Sequence, residues 1–410
     1  IPMGEFWQSS EWKEGGQNHA TKQIACAAHI YGRIYVAAEA FTKIGPHYEE
    51  SPADLKPTAD IAFCEGINRF FMHTSTSSHP EDGLPGNEYF AGTHFNRNVT
   101  WWEQSGAWLA YIARCQYLLQ QGLFVGDVCF FNGDIAPSFG EVKHVNPALG
   151  PGYDYDVCNA DVLLTRLSVK AGRIVLPDGM SYRLLALPNR NTMPVEILRK
   201  VKELVEAGAT VVGPKPARDP GLKNYPRCDE EVQALANSLW GEVDGRNVTQ
   251  RNVGQGRIVW GKTLREVLLA DGVAPDFEYP SKGAFLDFIH RKAGDTEIYF
   301  VANRSNQLVQ SECTFRVSGK QPELWDAVTG ERREAAAFRQ SKGRTTLPLE
   351  FAPYGSLFVV FQKPIATDAT GRAARNFPTY STPFEIAGDW EASFDPKWGG
   401  PASAKFERLV

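Results

Sequence analysis

Apolar and polar positions in the first third of the chain follow two alternating periods. A run with helical spacing, TKQIACAAHIY at 21–31, precedes a β-branched and aromatic run, GRIYVAAEAFT at 32–42. A short apolar run, INRFFMHTS at 67–75, is followed by a long apolar helical stretch over 101–122 and then by FVGDVCFFNG at 124–133. This alternation predicts an α/β layer with parallel strands.

The middle and the end of the chain have different patterns. PVEILRKVKELVEAG at 194–208 is an amphipathic helix that lies between two apolar strands, YRLLALPN at 182–189 and ATVVGPKP at 209–216. This βαβ unit predicts a flavodoxin-like layer, and the lack of GxGxxG after its first strand argues against nucleotide binding. From about residue 275, short alternating runs separated by turn residues predict a β-sandwich.

The predicted fold class is therefore α/β plus β. The domains are the C-terminal half of a (β/α)8 barrel over 1–148, a flavodoxin-like α/β domain over 149–264, a β-sandwich over 265–364, and a linker with the start of a galactose-binding-like β domain over 365–410. Three or four barrel strands are visible, and half a barrel cannot close. We therefore expect this sequence to be a fragment whose first strands lie upstream.

Composition narrows the classes of function. The net charge is −5 with no long basic run, which gives no support for nucleic-acid binding. No stretch approaches the ~20 apolar residues of a membrane span. The seven cysteines are scattered without metal-site spacing, which predicts free, buried thiols. Aromatic residues make up 12% of the chain, and aromatic rings can bind the faces of sugars.

A carboxylate at the end of a buried strand is the strongest chemical signal. Glu39 ends an apolar run of the kind in which acids are depleted. Glu5, in GEFW, would lie on the preceding strand, and the carboxyl ends of barrel strands meet in one mouth. Two carboxylates that flank a glycosidic bond can hydrolyse it, so Glu39 and Glu5 are the candidate catalytic pair. A surface position is the alternative for both, and Glu11 and Glu65 are better explained as solvated or helix-capping acids.

A second group of residues could bind the hydroxyl groups and faces of a sugar. Asn and Arg side chains hydrogen-bond hydroxyls, and Trp offers a flat apolar surface. The candidates for substrate binding are Trp7, Asn68, Arg69, His73, His94, Asn96, Arg97 and Trp101. Packing against the next helix is the alternative for the tryptophans of HFNRNVTWW, and His29 in AAHIYG is predicted to be a hydrogen-bonded core histidine.

Other classes of hydrolase lack their sequence signatures. The chain has neither the GxSxG of Ser-His-Asp hydrolases nor the HExxH of zinc enzymes. A non-catalytic sugar-binding protein and a β-galactosidase-like barrel glycosidase are the two alternatives. The carboxylates at strand ends favour catalysis in the first 145 residues.

Long motifs resemble a known family. HIYGRIYVAAEAFT, LKPTADIAFCEGINRFFMHTSTSSHP and GTHFNRNVTWWEQSGAWLAYIARCQYLLQQGLFVGDV look like the glycoside hydrolase family 106 α-L-rhamnosidases, and similar stretches continue to APYGSLFVVF. The resemblance implies a (β/α)8 catalytic barrel with β-rich accessory domains, and it identifies Glu39 and Glu5 as the pair. It also implies inverting removal of terminal α-L-rhamnose from plant or microbial polysaccharides or glycosides. A calcium ion near the substrate is implied as well, with ligands that the motifs do not place. From the substrate class we expect a periplasmic or secreted protein; the oligomeric state is not predicted.

Overall fold

The computed structural model divides the chain into two compact units, Ile1–Asn376 and Phe377–Val410. The residues that it describes are 1–8, 19–133, 143, 149–280, 283–379 and 388–407. In these ranges, no helix combines the length and the apolar character that crossing a bilayer requires.

The first layer of unit Ile1–Asn376 is a parallel sheet of three strands with helices between them. Its elements are β1 (Met3–Trp7), α1 (His19–Ile30), β2 (Ala37–Thr42), α2 (Pro52–Cys64), β3 (Arg69–Met72) and α3 (Ser105–Leu119). The strand order is β1-β2-β3. The predicted alternation of helices and strands is confirmed here, although β2 begins at Ala37 and not at Gly32.

One face of this sheet forms the core with the helices. Phe6, Ala38 and Ala40 are fully buried on this face. Phe70 of β3 stacks on Phe63 of α2 with ring centroids 4.7 Å apart. Because side chains alternate along a strand, the residues between these positions point to the opposite face, which carries the candidate carboxylates.

The second layer contains a six-stranded sheet in the order β12-β13-β11-β10-β5-β6. All neighbours are parallel except β12 and β13. The parallel strands follow the 2-1-3-4-5 order of flavodoxin-like sheets. The elements of this part of the chain are β4 (Leu123–Phe124), β5 (Val128–Phe131), β6 (Tyr155–Cys158), α4 (Ala160–Thr165), β7 (Ser168–Lys170), β8 (Arg173–Val175), β9 (Ser181–Tyr182), β10 (Leu184–Ala186), α5 (Val195–Glu206), β11 (Thr210–Val212), α6 (Arg227–Trp240), β12 (Gln250–Val253), β13 (Gly256–Val259) and α7 (Leu264–Ala270).

The third layer is a pair of antiparallel sheets, ordered β14-β17-β21-β20 and β19-β18-β22-β16-β15-β4. Their inner side chains meet, since the rings of Tyr299 and Phe315 lie 4.9 Å apart. The strands are β14 (Phe277–Glu278), β15 (Leu286–Ala293), β16 (Thr296–Asn303), β17 (Val309–Phe315), β18 (Lys320–Trp325), β19 (Arg332–Glu334), β20 (Arg339–Ser341), β21 (Arg344–Phe351) and β22 (Ser356–Pro364). Unit Phe377–Val410 contains an antiparallel pair, β23 (Trp390–Ser393) and β24 (Ser403–Phe406).

The prediction that FVGDVCFFNG belongs to the barrel, as its fourth visible strand, is wrong. Its first residue, Phe124, ends β4, which pairs with β15 of the third layer, and its centre forms β5 between β10 and β6. Asn132 therefore follows a strand of the six-stranded sheet, and the second layer includes Val128, well before residue 149. Short strands buried on both faces have the same apolar pattern in either sheet, so the sequence could not distinguish them.

A chain of buried charges connects the three layers. Lys22 of α1 donates to Asp154 at 2.8 Å, and Lys143 lies 3.2 Å from Asp154 and 3.3 Å from Asp287 of β15. Arg304 completes the chain, 3.4 Å from Asp287. The five side chains expose at most 7% of their surface. Charges this deep are tolerated only when they are paired, so the network ties the layers into one unit.

Two further predictions about the core are confirmed. All seven cysteines are free and buried. His29 is buried with its Nδ1 2.9 Å from Asp156, as expected for a core histidine.

Candidate active site

The two candidate carboxylates lie side by side on the face of the parallel sheet that points away from the helices. Glu5 of β1 is directly opposite Glu39 of β2. Opposite residues on neighbouring strands project to the same face, with the strands about 4.8 Å apart. Glu5 is exposed, and the Glu39 side chain is 35% exposed. Both are accessible to a ligand.

A β-bulge at Phe41 brings Thr42 onto the face of Glu39. The register shifts between Phe6 and Trp7, so that Trp7 pairs with Thr42 and Phe41 is skipped. Phe41 has a φ of +68°, which a bulky residue rarely adopts, and its side chain is fully buried. Strict alternation would have placed Phe41 beside the carboxylate instead. Because of this strained backbone, the hydroxyl of Thr42 and not the ring of Phe41 lies beside the carboxylate of Glu39.

Each carboxylate has a hydrogen-bond donor from its own strand. Thr42 Oγ1 donates to Glu39 Oε1 at 2.6 Å. Trp7 Nε1 donates to Glu5 Oε1 at 3.2 Å. His73, just after β3, has its Nδ1 3.3 Å from Thr42 Oγ1 and 3.7 Å from Glu39 Oε1. Hydrogen bonds to charged acceptors are strong, so these donors fix the orientation of the acids.

His73 is itself held by the loop after β3. A side chain at Gly92 would place its Cβ 2.7 Å from the His73 carbonyl oxygen, and Gly92 has a φ of +99°, so the close approach requires glycine. The ring of Tyr89 meets His73 edge-to-face at 5.7 Å. Tyr89 and its neighbour Phe90 are 44% and 66% exposed. We did not predict this pair, although NEYF is an aromatic pair in a polar loop, which is a signal for a sugar-binding surface.

Asn68 supports the backbone and is not at the site. It is fully buried. Its Oδ1 accepts from the Val36 N–H at 2.9 Å, and its Nδ2 donates to the carbonyls of Ile34 and Leu119. The prediction that Asn68 contacts substrate is therefore wrong, because its polar atoms are already used to fix the segment that leads into β2.

Arg69 begins β3 and lies on the same face as the carboxylates. It pairs with Ala37, whereas Glu39 pairs with Phe71, so Arg69 sits two residues before the level of the acids. Its guanidinium stacks on the rings of Tyr35 at 5.5 Å and Phe71 at 5.8 Å. A contact between Arg69 and substrate stays a prediction.

His94 and Asn96 are buried within the loop, with 2% and 8% exposure. His94 Nε2 lies 2.8 Å from Nδ1 of His47, and its ring stacks on Tyr48. Burial, together with His47, lowers the pKa of His94. Asn96 accepts a hydrogen bond from the backbone of Asn98. These contacts give both residues packing roles in place of the predicted substrate contacts.

Arg97 and Trp101 differ in exposure. Arg97 is exposed and donates to the Ser78 carbonyl at 2.6 Å. Trp101 is half-buried, donates to the Glu50 carbonyl at 2.9 Å and packs edge-on against Phe95. Trp101 thus matches the packing alternative, and a substrate contact for Arg97 stays a prediction.

Glu65, another acid considered from the sequence, does not join the pair. Glu65 is buried and accepts a hydrogen bond from Thr21 Oγ1, so it supports the contact between α2 and α1. Glu11 lies outside the described residues.

A calcium site was tested against the donor groups present. Within the part of the chain that the structure describes, no three His, Cys, Asp or Glu side chains gather as metal ligands would. The described residues thus offer no cluster of acidic side chains for calcium, and the calcium ion stays a prediction.

The chain is similar to a protein family, to a solved structure and to a curated protein. The family model described as alpha-L-rhamnosidase, glycoside hydrolase family 106, matches residues 1–340. The solved structure of a rhamnosidase from Novosphingobium sp. PP1Y is 33% identical with a TM-score of 0.85, covering 100% of this chain and 39% of that one. A curated protein of Formosa agariphila named "Putative beta-glucuronidase" is 37% identical over 371 residues, which is 88% of this chain and 29% of that protein. The chain thus spans well under half the length of both relatives.

Proposed function

Because the chain belongs to glycoside hydrolase family 106, the α-L-rhamnosidases, we propose that it contributes the catalytic pair of an enzyme that removes terminal α-L-rhamnose from plant or microbial polysaccharides or glycosides. The observation that carries the proposal is the direct opposition of Glu5 and Glu39 on neighbouring parallel strands. The sheet β1-β2-β3 is, in this proposal, the C-terminal part of a (β/α)8 barrel.

The proposed mechanism is a single inverting displacement. One carboxylic acid protonates the glycosidic oxygen as its bond to the anomeric carbon breaks. The other carboxylate takes a proton from a water molecule, which attacks the anomeric carbon from the opposite face. The products are L-rhamnose of inverted configuration and the free leaving group. An inverting pair needs its carboxyl groups roughly 6.5–9.5 Å apart so that the water fits between them. Because the two strands are about 4.8 Å apart, the proposal requires the side chains of Glu5 and Glu39 to diverge from their backbones.

A panel of aryl glycosides tests this function in the natural enzyme. We expect hydrolysis of the aryl α-L-rhamnoside and none of the matched β-D-glucuronide or β-D-galactoside. The reason is that, in this proposal, the site at Glu5 and Glu39 accepts only α-L-rhamnose. Proton NMR of the first product should show the β anomer of rhamnose. Cleavage of the glucuronide or galactoside alone would overturn the substrate assignment. The α anomer as first product would overturn only the inverting mechanism, and no hydrolysis of any substrate would favour the sugar-binding alternative.

Substitution of Thr42 by valine tests how Glu39 is oriented. Valine keeps the buried shape but removes the hydroxyl that donates to Glu39 Oε1 at 2.6 Å. A hydrogen bond to a charged group is worth about 1.5–3 kcal/mol, so we expect kcat to fall about tenfold or more with little change in KM. Thr42→Ser retains the hydroxyl and should keep most of the activity. Equal losses in both variants would show that packing, and not the hydroxyl, is responsible.

Two further parts of the proposal rest on the resemblance and the substrate class. The first is a calcium ion near the bound sugar, which residues beyond those described would have to hold. The second is a periplasmic or secreted location, where polysaccharides are met.

A further inference from the structure

A cavity of about 370 Å³ lies on the N-terminal side of β2, at the other end of the strand from Thr42. It is formed where the end of α1, the segment before β2, the α3–β4 connection, the β8–β9 hairpin and β15 meet. Small-molecule sites have volumes of about 300–1,000 Å³, so a small ligand fits here. The residues that matter for its chemistry are His29, Arg33, Ile34, Phe124, Asp178 and Arg291.

Arg291 brings a buried positive charge to the wall of this cavity. The residue is 4% exposed. Its Nε and Nη2 donate to the carbonyls of Gln121 and Gly122, both at 2.8 Å. Asp156 acts on it only through space, and among the described residues no carboxylate forms an ion pair with it; burial lowers the pKa of Arg291 to about 10. A buried guanidinium without a directly bonded carboxylate is costly, so a bound anion would stabilise Arg291 here.

His29 supplies a second unsatisfied group in the same wall. Its Nδ1 is bonded to Asp156, and its ring stacks on Phe124 with centroids 4.5 Å apart, so the ring orientation is fixed. Its Nε2 is buried and has no hydrogen-bond partner in the described part of the chain, while the residue is 5% exposed. Buried polar atoms are nearly always satisfied, so this nitrogen also indicates a missing partner.

The other charged residues at the cavity do not supply a carboxylate for Arg291. Asp178 is the one acidic residue of the lining, and it forms an ion pair with Arg166. Its carboxylate lies against Gly32, where a Cβ would come within 2.1 Å of it. Arg33, which is exposed, adds a second positive charge to the rim. The balance in the cavity is therefore positive.

We propose that this cavity binds a small organic carboxylate, such as a uronic acid. The carboxylate pairs with the guanidinium of Arg291, a hydroxyl of the ligand donates to His29 Nε2, and the apolar part of the ligand lies against Phe124 and its neighbours. One guanidinium without an ion-pair partner balances a single negative charge, and its planar fork matches the two oxygens of a carboxylate. The site is separate from the carboxylate pair and does not depend on the proposed rhamnosidase activity.

Calorimetric titration of the full-length natural enzyme tests the proposal, with sodium D-glucuronate as the probe. D-Glucose and inorganic phosphate at equal ionic strength are the comparison ligands. We expect one-site binding of glucuronate, weaker binding of phosphate and no binding of glucose at millimolar concentrations. No glucuronate binding, equal binding of glucose, or tighter binding of phosphate would overturn the proposal.

Matched variants locate the binding. Ile34 lines the cavity and is 60% exposed, so Ile34→Asp should fold while placing a negative charge at the rim. We expect it to weaken glucuronate binding about tenfold, with Ile34→Asn close to wild type. Arg291→Gln should weaken binding about tenfold or more. Binding that ignores all three variants but responds to Glu39→Gln would place glucuronate at the catalytic face and refute the cavity.

Discussion

Replacement of Glu39 by glutamine in the full-length enzyme is expected to lower kcat at least about 100-fold, the low end for loss of general acid–base catalysis. Glutamine keeps the shape and can still accept from Thr42, but it can neither carry a negative charge nor give up a proton. Glu49→Gln, on the neighbouring loop and 60% exposed, is the matched control and should leave the rate unchanged. An undiminished rate in Glu39→Gln would remove the residue from the mechanism.

The dependence on leaving group then separates the acid from the base. A variant of the general acid should keep much of its rate on a dinitrophenyl rhamnoside, because that leaving group departs without a proton. A variant of the general base should be slow on every substrate, because the water is still not activated. Comparing Glu39→Gln with Glu5→Gln on good and poor leaving groups therefore assigns the two roles. If the rates of both variants depend on the leaving group in the same way, Glu39 and Glu5 do not act as separate acid and base.

The substitution Asp154→Asn is expected to lower the free energy of unfolding by about 3–5 kcal/mol, the usual cost of breaking a buried ion pair. The amide cannot balance Lys22 and Lys143, whose ammonium groups lie 2.8 Å and 3.2 Å from the carboxylate. Glu231→Gln removes an exposed pairing with Arg199 and should cost under about 1 kcal/mol. Urea denaturation of the two variants measures both. Equal, small effects would show that the buried network is not needed for stability.

The same network predicts how the effect depends on pH. Burial alone would raise the pKa of Asp154, but Lys143 and Lys22 outweigh it and hold the pKa below its ordinary value. A depressed folded-state pKa contributes stability above the unfolded value of about 3.9, and this contribution is lost as the pH falls through the folded value. The difference between wild type and Asp154→Asn should therefore be constant near neutrality and shrink below about pH 4. A difference that grows on acidification would contradict the ion pairing.

The sequence predicted the kinds of secondary structure well, but not which sheet a short strand joins. Amphipathic spacing located α5, and alternation located β1 to β3, because each pattern reflects one buried face. β5 is apolar on both faces, so nothing in its own residues indicates its neighbours; the pairing is decided by β6 and β10, far along the chain.

The candidate acids could be predicted from the sequence, but the residues that orient them could not. Glu39 stood out because an acid is costly in an apolar strand, although it lies in the middle of β2 and not at the predicted strand end. Thr42 was not recognised as its partner, since only the bulge at Phe41 turns the hydroxyl to the same face. Asn68 was misassigned for the opposite reason: an amide that bonds backbone groups has the same composition signal as one that binds a sugar.

The chain of buried charges limits how enzymes of this kind can be shortened or recombined. Lys22 belongs to the layer with the proposed catalytic pair, whereas Asp287 and Arg304 come from the sandwich, more than 250 positions later in the sequence. A shorter fragment that ends before the sandwich would lose Asp287, so the ammonium groups of Lys22 and Lys143 would share the single carboxylate of Asp154 in an opened interior. When modules are exchanged between homologues, the segment from Lys22 to Arg304 should therefore be transferred as one block. Both residues of each ion pair then come from the same homologue.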